Sequence, residues 1–154
     1  VFSLKALDPV ISLGAATTMM LSGEKLPTYI RCFGEDCGYT SVWDQFKKEL
    51  KEQFGLPAFP LLYIASWLCE WQNGWNFKEA SAVKQVAKCQ KPMFFIHGDK
   101  DNFVPTYMVH KVYETKPQPK ELWIVPGADH ATSYFYYPEE YTSRVEHFIK
   151  KYIP

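Results

Sequence analysis

The chain has no apolar run of the roughly 20 residues that a membrane-spanning helix requires. It has no net charge either. Its 17 basic and 17 acidic residues balance, and no basic run or stripe breaks the mixture. That argues against nucleic acid as a partner and leaves little electrostatic protection against self-association. Cysteine is scarce: Cys32, Cys37, Cys69 and Cys89 are all there is. None forms a CxxC and no Cys/His grouping has zinc-ligand spacing, so neither a metal nor a cofactor is indicated. Cys32 and Cys37 stand close enough in sequence to meet, but isolated buried thiols are the expected state. Internal repeats and low-complexity segments are missing too. The length is that of one ordinary domain.

What is abundant is aromatic. Rings make up 17% of the 154 residues within a 47% hydrophobic composition, so much of the core must be built from them. "AATTMMLSG" predicts a helix closed near Gly23. "TYIRCF" reads as a strand that ends in the turn formers of "GEDCGYTS". "SVWDQFKKELKEQFG" has helical period, with Val42, Trp43, Phe46, Leu50 and Phe54 on one face. "LLYIASWLCEWQ" is apolar nearly all round, as a buried helix is, and stops at Asn73-Gly74. "SAVKQVAKCQ" predicts a short helix capped by Ser81.

In the second half, "KPMFFIHGDKD" is a buried parallel strand feeding a loop. "PTYMVHKVYETK" is an amphipathic helix, and "KELWIVPGADH" repeats the strand-to-loop theme. "PEEYTSRVEHFIKKYI" closes the chain as a helix with acids first and lysines last, as the helix dipole favours. Strands alternating with helices predict an α/β architecture with a parallel sheet and right-handed crossovers. Functional groups then gather at the carboxyl ends of the strands. The segment 41–77 is a helical insertion placed where a cap or lid would sit.

Three such strand ends carry reactive residues. Ser12, in "VISLGAATTMM", has a glycine two residues later, most of the Gly-x-Ser-x-Gly elbow that presents a nucleophilic serine. The first glycine position is Val10, whose β-branch would crowd a strained turn, and Asp8-Pro9 leaves little room for a strand ahead of it. Asp101 lies in "HGDKDNFVP", where Asp99 competes for any role. A carboxylate there would orient a histidine and stabilise its cation. His130 lies in "VPGADHATSY", a turn-rich loop after a strand. His110 and His147 fall within amphipathic helices, and His97 ends a strand, where it is expected to be buried and neutral. The order Ser, Asp, His is that of the hydrolase elbow motif. The intervals leave room for two βα units plus an insertion, then for one βα unit.

With these landmarks, "SLGAATTMMLSG", "DCGYTSVWDQF", "FFIHGDKDNFVP" and "VPGADHATSY", the chain resembles the α/β-hydrolase superfamily, in particular a bacterial subgroup of serine hydrolases. The likeness runs from Ser12 onward. It implies Ser12 as nucleophile, Asp101 as acid, His130 as general base and the Leu13 N–H as an oxyanion donor. Asp36 and Tyr39 match the family's "DCGYTS" loop without a catalytic step assigned to them. A complete member runs to roughly 250 residues, with further strands before the elbow and a second oxyanion donor among their loops. The resemblance therefore implies that residues 1–154 are the C-terminal part of such a domain, holding the last three or four strands of its sheet.

The expected activity is hydrolysis of an ester, amide or peptide through an acyl-enzyme. The substrate is a small molecule or peptide bearing an acyl group. Trp43, Trp67 and Trp71 of the insertion suggest an apolar one. Two other readings compete. Acyl transfer can use the same fold and triad. Alternatively, the chain is an inactive fragment whose loss of half the sheet disrupts the triad, and whose open apolar strand edge recruits a second copy as a homodimer.

Overall fold

The computed structural model describes residues 10–153. Four strands, β1 (Val10–Ile11), β2 (Phe33–Asp36), β3 (Met93–Gly98) and β4 (Lys120–Val125), form one sheet in sequence order. Every neighbouring pair is parallel. The helices are α1 (Leu13–Leu21), α2 (Val42–Phe54), α3 (Leu61–Asn73), α4 (Ala82–Val86), α5 (Tyr107–Thr115), α6 (Ser133–Tyr136) and α7 (Pro138–Tyr152).

β3 explains the layering. All six of its residues are buried, and alternate side chains point to opposite faces. Met93 and Phe95 pack with Met19 of α1, Val86 of α4 and Val109 of α5. Phe94 and Ile96 pack on the other face with Trp123 of β4 and Tyr141 and Phe148 of α7. Helices thus cover both faces of the sheet, and burying these large side chains is the main stabilising term.

Several elements differ from their sequence patterns. The second strand starts at Phe33 rather than at Thr28. The Ile30 N–H bonds to the Pro27 carbonyl, so the residues before Arg31 are spent on a turn. The first three residues of "GEDCGYTS" belong partly to this strand, because Phe33–Asp36 pairs in register with Met93–Ile96. A strand does precede Ser12: Val10 and Ile11 pair with Glu35 and Asp36. Asp8 and Pro9 lie outside the described residues. Gly23 does not take a left-handed cap. The cap residue is Ser22, in right-handed conformation. Gly23 is instead where α1 approaches α4, since a Cβ there would lie 2.5 Å from the Gln85 carbonyl oxygen.

The largest correction concerns α3. Its composition suggests a buried helix, yet only Leu62 and Ser66 are buried, while Trp67 and Trp71 are 62% and 73% exposed. Hydropathy reports the side chains and not where the helix sits. This one lies on the excursion between β2 and β3, held by the Ser66 hydroxyl accepting the Phe77 N–H at 3.1 Å. α2 behaves similarly. Its buried residue is the polar Gln45, and Phe46 and Phe54 of its apolar face are exposed.

Candidate active site

The carboxyl end of the sheet collects the reactive residues. β1 runs directly into α1 through Ser12, whose φ of 56° and ψ of −114° are strained for a residue with a side chain. The Ser12 N–H donates to the Asp36 carbonyl at 2.9 Å, extending the β1–β2 ladder by one bond and fixing the turn. Val10 at the first elbow position does not prevent this geometry. Leu13 is the first residue of α1, so its N–H is among the donors that a helix start leaves without an intrahelical partner.

Asp101 and His130 sit on the loops after β3 and β4, and Gly98 lets those loops meet. A Cβ at Gly98 would lie 2.2 Å from the Ala128 carbonyl oxygen. The Lys100 N–H donates to that same carbonyl at 3.0 Å. Asp99 staples the pair of loops by accepting the Gly127 N–H at 2.6 Å. That bond resolves the competition between the two acids, because Asp99 serves the loops and Asp101 faces the histidine. Asp101 Oδ1 accepts the Val104 N–H at 2.7 Å, which orients the carboxylate.

The three side chains form one hydrogen-bonded chain. His130 Nδ1 is 2.8 Å from Asp101 Oδ2, and His130 Nε2 is 2.9 Å from Ser12 Oγ. The carboxyl ends of β1, β3 and β4 bring these three side chains together within the described residues. Asp101 is buried and His130 partly exposed. His97 lies buried beneath them with Nε2 2.7 Å from the Val104 carbonyl, and burial lowers its pKa, favouring the neutral ring. His110 and His147 are exposed on helices.

Three more residues stand beside this trio, and of them the sequence singled out only Asp36. Asp36 accepts hydrogen bonds from Ser133 Oγ and Tyr141 OH, both at 3.1 Å, tying the end of β2 to the helices that follow His130. Burial raises its pKa to about 6 despite those bonds. Its place in the "DCGYTS" loop was the available signal. Phe103 lies over His130, ring centroids 4.8 Å apart. Its carbonyl accepts from Gln45 Nε2 at 2.9 Å and from Lys48 Nζ at 3.0 Å, so α2 is fastened to the acid loop. Nothing in the sequence marked it. Cys37, with φ of 55°, puts its thiol beside Asp101 and His130.

Trp43 is half-buried, edge-on to Tyr63 and under the Lys78 ammonium. The apolar hollow of about 310 Å³ between α2 and α3 is lined by residues such as Phe46, Leu50, Leu61, Leu62 and Phe77.

The model of the prolyl oligopeptidase family matches residues 11–154, nearly the whole chain. The chain belongs to the prolyl oligopeptidase family. Within this family's fold, the α/β-hydrolase superfamily, it is similar to several solved structures. An esterase from Pyrococcus furiosus superposes with a TM-score of 0.65 at 24% identity, covering 94% of this chain and 52% of that one. The acylaminoacyl peptidase of Pyrococcus horikoshii gives 0.67 at 15% identity, covering 92% and 23%. The uncharacterized protein YqkD of Bacillus subtilis is 30% identical over 138 residues, which are 90% of this chain and 45% of that protein. The chain thus spans about half the length, or less, of these relatives.

Proposed function

We propose that this chain carries the reaction centre of a serine hydrolase that cleaves ester, amide or peptide bonds through an acyl-enzyme. The observation that supports this most directly is the Ser12–His130–Asp101 hydrogen-bonded chain on a serine in strained elbow conformation. His130 Nε2 takes the Ser12 proton as Oγ attacks the carbonyl carbon. Asp101 accepts from Nδ1–H and stabilises the imidazolium, which passes its proton to the leaving group. Water, deprotonated by the same histidine, then releases the acid. In this reading the Leu13 N–H, at the start of α1 and next to the nucleophile, serves as an oxyanion donor. No step calls for a metal or cofactor. The esterase and acylaminoacyl peptidase among the similar structures fit this substrate range.

Residues 41–77 act in this reading as the cap over the site. The α2 contacts to the Phe103 carbonyl couple it to the acid loop, and Trp43, Trp67, Trp71 and the hollow between α2 and α3 favour an apolar acyl group. A second reading, self-association, is supported by β1, the outer strand among the described residues, with Ile11 45% exposed. A second copy of the chain would pair along that edge.

Hydrolysis of short-chain nitrophenyl esters tests the main reading. Ser12→Ala should abolish turnover, and Asp101→Asn should lower kcat by about 10³–10⁴ with the fold intact by circular dichroism. Turnover by Ser12→Ala equal to that of the unmodified chain would refute it.

A further inference from the structure

Cys37 occupies a left-handed backbone position, φ 55°, at the carboxyl end of β2 and is fully buried. Its Sγ, a carboxylate oxygen of Asp101 and a ring nitrogen of His130 all lie within 4.8 Å of one another. Thiolate sulfur, imidazole nitrogen and carboxylate oxygen are the three protein ligand types of zinc. Zinc–ligand bonds of about 2.0–2.3 Å at tetrahedral angles put ligand atoms roughly 3.5 Å apart. The widest pair must therefore close by about 1 Å, a change within reach of side-chain torsions. The residues come from the loops after β2, β3 and β4, too far apart in sequence for any spacing motif to register.

We propose that Cys37, Asp101 and His130 form an inhibitory site for zinc or a similar thiophilic divalent cation. The ion binds Cys37 Sγ as the thiolate, a ring nitrogen of His130 and an Asp101 oxygen, with water or the Ser12 hydroxyl completing the shell. Capture at either ring nitrogen silences His130. At Nε2 the ion takes the lone pair that accepts the Ser12 proton. At Nδ1 it breaks the bond to Asp101. The thiol proton leaves to solvent as the sulfur–metal bond forms, so capture strengthens as pH rises. Burial holds the Cys37 thiol protonated well above its ordinary range, and the metal must displace that proton.

The site rests on the juxtaposition of three side chains, and its occupancy is measurable whether or not the chain turns over substrate. Cobalt(II) titration of the full chain should give a thiolate-to-metal charge-transfer band that zinc displaces. Cys37→Ala and Cys37→Ser should abolish the band, and Cys69→Ala, at the partly exposed thiol, should retain it. Zinc should inhibit ester hydrolysis reversibly, with chelator restoring it and with at least about tenfold more zinc needed for Cys37→Ser. A cobalt spectrum without sulfur ligation, or a band that survives in both Cys37 variants, would overturn the site. Equal zinc sensitivity of Cys37→Ser and the unmodified chain would overturn the inhibitory role.

Discussion

Ser12 holds a backbone conformation that costs about 1–3 kcal/mol, offset by the ladder bond to the Asp36 carbonyl and the packing of α1 on the sheet. The neighbouring acids carry their own cost. Glu35 is fully buried, with Oε2 accepting the Gly38 N–H and Oε1 without a partner among the described residues. Burial raises its pKa from 4.5 to about 8. The folded protein therefore favours the protonated acid, and stability is fullest below about pH 4.5 and falls as pH rises toward 8. Asp36 acts in the same direction between 3.8 and about 6. Thermal melts should show Glu35→Gln matching the unmodified protein near pH 5 and exceeding it above pH 8. Coincident melting curves for the two proteins at every pH would exclude this coupling. At this scale the sequence singled out Ser12, Asp101 and His130, each following a strand, and the fold brings the three side chains within hydrogen-bond distance. It marked Asp36 by its loop but not its bonds to Ser133 and Tyr141, and it did not mark the placement of Cys37 or Phe103, which depends on loops meeting across the sheet.

The helices divide into two kinds. α1, α4, α5 and α7 cover the sheet, and the sequence placed all four as helices, α5 and α7 by their amphipathic patterns. α2 and α3 stand on the excursion between β2 and β3, where periodicity predicted their existence and composition misplaced α3 in the core. The reason is physical: an apolar helix signals that something covers it, not that the sheet does. Trp67→Ala and Trp71→Ala remove exposed rings and should change stability by no more than about 0.5 kcal/mol, against about 3–5 for Phe95→Ala within the core. The same tryptophan variants should shift the ratio of kcat/KM for long over short acyl esters. Loss of stability without a change in that ratio would make these residues structural and remove them from the cap.

The molecule as a whole is a sheet with helices on both faces and one short outer strand, in a chain without net charge. In the proposed self-association, β1, the outer strand among the described residues, pairs with a second copy. Sedimentation should show concentration-dependent dimers that Ile11→Lys weakens. A monomer at all concentrations would end the edge-pairing reading and leave the reaction centre untouched. The alternation of strands and helices made this architecture legible before any coordinates, and the family match covers the same span. In the proposed function, Ser12 at the end of β1 is an activated nucleophile. A fluorophosphonate probe tests it most directly, followed by digestion and mass spectrometry of the adduct. The account predicts one adduct, on Ser12, lost in Ser12→Ala and strongly reduced in His130→Gln. No adduct on the folded chain, or an adduct on another serine, would contradict it.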